Sequence, residues 1–141
     1  MVTKPGPPLF WGRLDKARKF TLQAVAATER AEVHEAAAGL EAAAAMREAL
    51  FGYRVEAGQR AAAALSLSKG REAQYGAALA LVLTGDTVRA PALTNDFGMR
   101  FPEDTIVRFN YMPTLWAQIA LSRSEALKAI EVLTGGRAPA Q

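Results

Sequence analysis

The sequence predicts an all-α fold, an α-solenoid of about seven helices arranged as antiparallel hairpins. Three observations carry that prediction. A small residue followed five positions later by alanine recurs at Gly12/Ala17, Gly52/Ala57, Gly85/Ala90 and Ser124/Ala129, at intervals of 40, 33 and 39 residues. Self-similarity at such a period marks a helical repeat array. Half of the 141 residues are apolar, but alanine dominates that half and aromatics make up only 8%. Alanine is the best helix former, and its small side chain lets helices approach closely. Finally, the short β-branched runs that a sandwich or barrel needs are missing.

The elements follow in order. Residues 1–8 hold three of the seven prolines and read as a flexible leader, with no helix before about Leu9. Leu14, Ala17, Phe20 or Thr21, Ala24 and Val25 then form one apolar stripe at helical spacing, giving a helix from Leu14 to about Thr28. A polyalanine-like helix covers about Ala31 to Leu50 and stops at Gly52. The third, about Arg54 to Ser66, ends at Ser68-Lys69-Gly70, and the fourth, about Glu72 to Leu83, ends at Thr84-Gly85-Asp86.

A fifth helix spans Thr87 to Met99, with Pro91 either confining its regular part or sitting in its first turn, where proline is tolerated. Phe101-Pro102 closes it. Asp104 or Thr105 caps a sixth helix running to Leu121, through side-chain oxygens that accept from the free amides of the first turn. Pro113 lies inside that helix and kinks it, or splits it near Tyr111-Met112. Ser124 or Glu125 opens a seventh helix ending by Thr134, and 135–141 form a flexible tail. The repeat domain is therefore 9–134.

Small residues also sit seven positions before three of the marks, as Ala45, Ala78 and Ala117, and seven after two of the marker alanines, as Ala24 and Ala64. Backbones in near contact at a helix crossing cannot accommodate larger side chains. The unit Gly85-Asp-Thr-Val-Arg-Ala90, followed by Phe101-Pro102, resembles a tetratricopeptide repeat, in which the glycine ends helix A, the alanine packs in helix B and the proline separates repeats. Phe97 and Lys69 depart from that pattern, replacing a small residue and a proline.

The resemblance narrows at Gly70-Arg-Glu-Ala-Gln-Tyr-Gly-Ala-Ala-Leu-Ala-Leu81, Leu83-Thr-Gly-Asp-Thr, Arg100-Phe-Pro-Glu-Asp-Thr105 and Tyr111-Met-Pro-Thr-Leu115. Over most of residues 9–134 the chain is similar to the C-terminal repeat region of large bacterial eukaryotic-type serine/threonine protein kinases. That family carries its kinase domain upstream, and the repeats act as a sensor or docking tail. The resemblance implies a right-handed superhelix with a concave face built from A helices. About three and a half repeats are present, the first lacking its helix A. Either a separate gene encodes this remnant or another chain supplies the partner helix.

Chemistry is hard to place. There is no glycine-rich phosphate loop and no His-Arg-Asp catalytic loop, and the Asp-Phe-Gly letters of Asn95-Asp-Phe-Gly98 fall inside a repeat helix. There is no cysteine, and the single histidine, His34, stands in a charged helix start with no nucleophile beside it. Glu32, His34 and Glu35 spread around the helix, so no metal site is expected. No catalytic residue, cofactor or metal is assigned. Glu103-Asp104 serves a helix N-terminus instead.

The net charge of +3, from 17 basic and 14 acidic residues, is thin. Lys4, Arg13, Lys16, Arg18 and Lys19 read as a solvated helix face before they read as a phosphate site. No signal peptide and no membrane-spanning run is found, so the expected location is the cytoplasm.

The expected function is a non-catalytic protein–protein interaction module, a scaffold for signalling that binds a peptide or partner protein. The candidate groove comprises Glu72, Tyr75, Leu79, Arg108, Tyr111, Thr114 and Gln118. Trp116 leans to the core and Tyr75 to the groove. The alternative is a regulatory module contacting nucleic acid through the basic N-terminal helix. Phe10, Trp11 and Phe20 suggest an uncapped apolar edge and hence a homodimer formed end to end.

Overall fold

The structure, a computed structural model, describes residues 8–30 and 33–135, with side chains throughout except at 8–12 and 28–30. The described residues are all-helical, with seven α-helices and no strand. These are α1 (Pro8–Arg30), α2 (His34–Leu50), α3 (Arg54–Leu67), α4 (Arg71–Leu83), α5 (Arg89–Arg100), α6 (Met112–Ser122) and α7 (Ala126–Gly135), with a π-helical turn, Val107–Tyr111, leading into α6. None is long and apolar enough to cross a membrane. The predicted leader, apart from Pro8, and the tail beyond Gly135 lie outside the described residues.

The three later Gly/Ala marks have one geometry. Gly52, Gly85 and Ser124 adopt φ of +85°, +76° and +61°, the left-handed region. In each turn the marked amide donates to the carbonyl three residues back: Gly52 to Ala49, Gly85 to Val82, Ser124 to Leu121. The next amide donates to the carbonyl five back, Tyr53 to Glu48 at 2.9 Å, Asp86 to Leu81 at 3.2 Å and Glu125 to Ala120 at 2.9 Å. This is the Schellman closure, which satisfies the last carbonyls of a helix through one left-handed residue.

The spacing to alanine has its reason here too. Ala57, Ala90 and Ala129 donate to the carbonyls of Tyr53, Asp86 and Glu125, so the fifth residue after the mark is an early amide of the next helix ladder. All three alanines are buried. Gly12 is a correction. It lies inside α1 rather than at a helix end, because the helix already begins at Pro8, a residue suited to the first helical position.

Each helix packs on its neighbour in the chain, and α4 also contacts α2 and α6. Close approach is set by small side chains. Ala45, Ala78 and Ala117 are all buried, and a Cβ placed on Gly76 would stand 2.7 Å from the Cβ of Ala42 on α2. Phe97, on α5, is wholly buried and sits edge-on to Phe101 at 5.6 Å. It fills volume that a small residue would leave empty beside the displaced start of α6.

Some boundaries moved by a few residues. α2 starts at His34 rather than Ala31, while α5 starts at Arg89 rather than Thr87. The Asp86 carboxylate explains the second shift, accepting from the amides of Val88 and Arg89 and holding the chain in a turn until there. Pro91 is thereby in the first turn of α5. Asp104 accepts from Ile106 and Val107 and opens the next helical segment as expected.

The segment widens to a π turn before Pro113. Proline has no amide to donate and its ring would strike the carbonyl of Phe109. Met112 donates instead to Val107, five residues back, and the Thr114 hydroxyl donates to the Asn110 carbonyl.

Two acids on α2 are clamped from either side. Glu48, almost fully buried, accepts from Arg18 of α1 through both guanidinium nitrogens facing it, at 2.7 Å each. Glu41 accepts from Arg60 of α3 at 3.1 Å. Arg18 also lies 4.7 Å from the centre of the Tyr53 ring. Its pKa is held above the ordinary arginine value, chiefly by the Glu48 hydrogen bond.

Candidate partner-binding groove

Glu72, Tyr75 and Leu79 follow at three and four residues along α4 and so share one face. Tyr111, Thr114 and Gln118 do the same from the π turn into α6. Because α4 and α6 lie in contact, the two faces adjoin. The Tyr75 and Tyr111 rings stack at 3.9 Å with planes 12° apart. The Tyr111 hydroxyl donates to Glu72 at 2.9 Å, tying α6 back to the first turn of α4. Both rings border the buried Phe97.

Burial raises the pKa of Tyr75, with its contact to the Thr114 hydroxyl opposing. Burial also raises that of Tyr111, and the hydrogen bond to Glu72 reinforces the shift. Both phenols therefore stay neutral donors at physiological pH.

Arg71 organises the polar end of this face. It donates to Glu72 at 2.8 Å and to Asp104 at 3.0 Å, bridging the starts of two helical segments. The Asp104 pKa is lowered first by the Val107 amide, with burial opposing and Arg71 assisting. An equivalent tie lies one interval earlier, where the Ser68 hydroxyl donates to Glu35 and also accepts from the Gly70 amide at the start of α4. Neither Arg71 nor Ser68 stood out in the sequence. The signal was available, since Glu35/Ser68 and Arg71/Asp104 are both 33 residues apart.

Of the seven candidates, Glu72, Tyr75, Tyr111 and Thr114 come together. Leu79 is half-buried against the core, and Gln118 is half-buried farther along the same face of α6. Arg108 does not join them. The π turn leaves it exposed, with its guanidinium 5.2 Å from the Phe109 ring. Trp116 is buried in the core, as its leaning suggested.

A concavity of about 340 Å³ lies elsewhere, among α1, α2 and α3, and is lined by Arg18, Glu48, Glu56, Gln59, Arg60 and Ala63. Both of its arginines are already matched to buried glutamates, Arg18 to Glu48 and Arg60 to Glu41, so the wall offers no unmatched positive charge. The same pairing bears on the basic N-terminal helix. Arg13, Lys16 and Lys19 are exposed, but Arg18 turns into the seam with α2. Lys4 lies outside the described residues. Comparison with family models, with curated proteins and with solved structures finds no match.

Proposed function

We propose that the chain is a tetratricopeptide-like array whose helices α2, α4 and α6 serve as A helices and form a concave docking face for a peptide or partner protein. The Tyr75–Tyr111 stack carries this reading. Two large, partly exposed aromatic rings from neighbouring A-type helices present area at little cost in rotamer entropy, the composition found where proteins bind. Glu72, Arg71 and Asp104 supply a polar rim beside them. The threefold Schellman turn supports the repeat assignment, since the alanine five residues after each left-handed residue donates its amide four back into the opening turn of α3, α5 and α7.

The role is non-catalytic, and the similarity to kinase-linked repeat regions favours a place in signalling. To test it, a random peptide library displayed on phage is panned against the chain, and the selected peptides are measured on Tyr75→Ala and Tyr111→Ala. A loss of affinity of tenfold or more in both variants supports the groove, as expected when a central aromatic contact is truncated. Equal affinity in both removes it.

A further inference from the structure

The helices α3 and α5 both pack on α4 but scarcely on each other. Between them lies a cleft of about 240 Å³, floored by Leu81 of α4. Gly58, Ala61, Ala62 and Leu65 line it from α3, at the spacing of one helical face, and Leu93 lines it from α5. Packed interiors leave few voids larger than a water molecule, and a leucine in place of Ala61 or Ala62 would fill this one.

The cleft has a polar end. Arg89, in the first turn of α5, also lines it. Its Nε donates to Asp86 at 2.6 Å, and the other Asp86 oxygen accepts from the Val88 and Arg89 amides. The two terminal nitrogens of this guanidinium have no hydrogen bond or ion pair among the described residues. Arg18, by contrast, commits both Nε and Nη2 to Glu48. The free end of Arg89 lies against α3, where Nη2 and Nη1 stand 3.2 and 3.7 Å from the place a Cβ on Gly58 would take. Glycine inside a helix is unfavourable relative to alanine, and here it leaves room for the end of the arginine.

Size and charge together select a ligand. From Gly58 to Leu65 is seven residues, or about 10 Å along α3. An apolar cavity of about 150 Å³ takes benzene, and sites for drug-sized ligands start near about 300 Å³. The cleft therefore suits one unbranched chain of about six to eight carbons. Its head must accept from the end of a guanidinium fork, the geometry that holds a carboxylate through two parallel N–H donors. A single negative charge fits, because Asp86 already offsets part of the arginine's charge and would repel a dianion.

We propose that this cleft binds a medium-chain aliphatic carboxylate, its head on Nη1 and Nη2 of Arg89 and its chain running over Leu81 towards Leu65 and Leu93. Asp86 is a positioning residue that holds the Nε edge of the arginine. The site is separate from the concave groove, since Leu81 and Leu79 project about 200° apart around α4. It is also distinct from the apolar edge expected on α1, where Phe20 is exposed and the side chains of Phe10 and Trp11 lie outside the described residues.

Amide shifts of the full chain, followed by nuclear magnetic resonance during titration with sodium hexanoate, test it. Saturable binding in the millimolar range is expected, with shifts centred on residues 58, 61, 65, 81, 89 and 93, while acetate, which lacks the chain, gives none. 1-Hexanol keeps the chain and loses the charge, and should bind roughly tenfold more weakly. Arg89→Gln should remove that preference and still bind hexanol. Ala62→Leu, at the exposed rim of the cleft, should abolish binding of both, with circular dichroism confirming that each variant remains helical. The absence of saturable hexanoate binding overturns the proposal, as do shifts centred on the α4–α6 groove. Equal affinity for hexanoate and hexanol overturns it too, and so does a preference that survives Arg89→Gln or hexanoate binding unchanged in Ala62→Leu.

Discussion

Two glycines that look equally open should respond to alanine with opposite signs. Nothing approaches within 4 Å of a Cβ placed on either Gly39 or Gly85, so neither substitution creates a clash. Gly39 lies in the interior of α2, where alanine is favoured by about 0.5–1 kcal/mol over glycine. Gly85 sits at φ +76°, where an L side chain crowds its own backbone at a cost of roughly 1–2 kcal/mol. Gly39→Ala should therefore stabilise and Gly85→Ala destabilise.

Ser124 is the third site of the set and already bears that strain, at φ +61°. Ser124→Gly relieves it but adds the backbone entropy of glycine in the unfolded chain, for a net gain of about 0.5–1 kcal/mol. In thermal unfolding, roughly 4 °C per kcal/mol is expected for a chain of this size. Gly85→Ala should fall by about 4–8 °C, while Gly39→Ala and Ser124→Gly should rise by about 2–4 °C. If Gly85→Ala and Gly39→Ala shift the same way, the shared left-handed turn is refuted.

Other consequences are as specific. Arg18→Ala strands the buried Glu48 carboxylate and should cost about 3–5 kcal/mol in urea denaturation, whereas Arg18→Ala/Glu48→Met, which removes both charges, should recover most of that loss. Gly76→Ala brings a methyl against Ala42; overpacking of about 1–3 kcal/mol exceeds the helix-propensity gain, so the variant should melt lower than the native chain.

Asp86 and Asp104 both titrate below the ordinary 3.8. For Asp86, burial pushes upward but the hydrogen bonds from Arg89 and Val88 outweigh it. A lowered folded pKa means the stability is fully present above the unfolded value and is lost as pH falls through the folded one. The melting temperature should thus be insensitive to these two groups above about pH 5 and decline below pH 4. Asp104→Asn should flatten part of that decline.

Much of the fold was legible because it is written in steric necessity. A left-handed residue, a buried alanine five later and a small crossing residue seven earlier each exclude most side chains, so they recur visibly at Gly52, Gly85 and Ser124. Gly12 shows the limit of that reasoning. A glycine tolerated inside a helix looks identical, in sequence, to one that ends it. Pro113 announced a disruption but not its form, since a kink, a break and a π turn all answer the missing amide.

Of the groove, the aromatic positions were legible from helical spacing, whereas the hydrogen bonds that join them were not. Arg108 shares the spacing of its neighbours, but the π turn adds a residue to the local winding and rotates it away. The buried glutamates were overlooked for a similar reason. Glu41 and Glu48 stand seven apart on a helix of alanines, and only the arriving arginines of α1 and α3 make their burial tolerable.

The account stands most directly on where a ligand touches the chain. Amide shifts should be followed by nuclear magnetic resonance while a library-selected peptide is titrated into isotope-labelled protein. The perturbations are predicted to cluster at residues 72, 75, 79, 111, 114 and 118 on α4 and α6, leaving α3 and α5 unmoved. Perturbations centred on α3 and α5, or the failure of any library peptide to bind, would contradict the concave docking face.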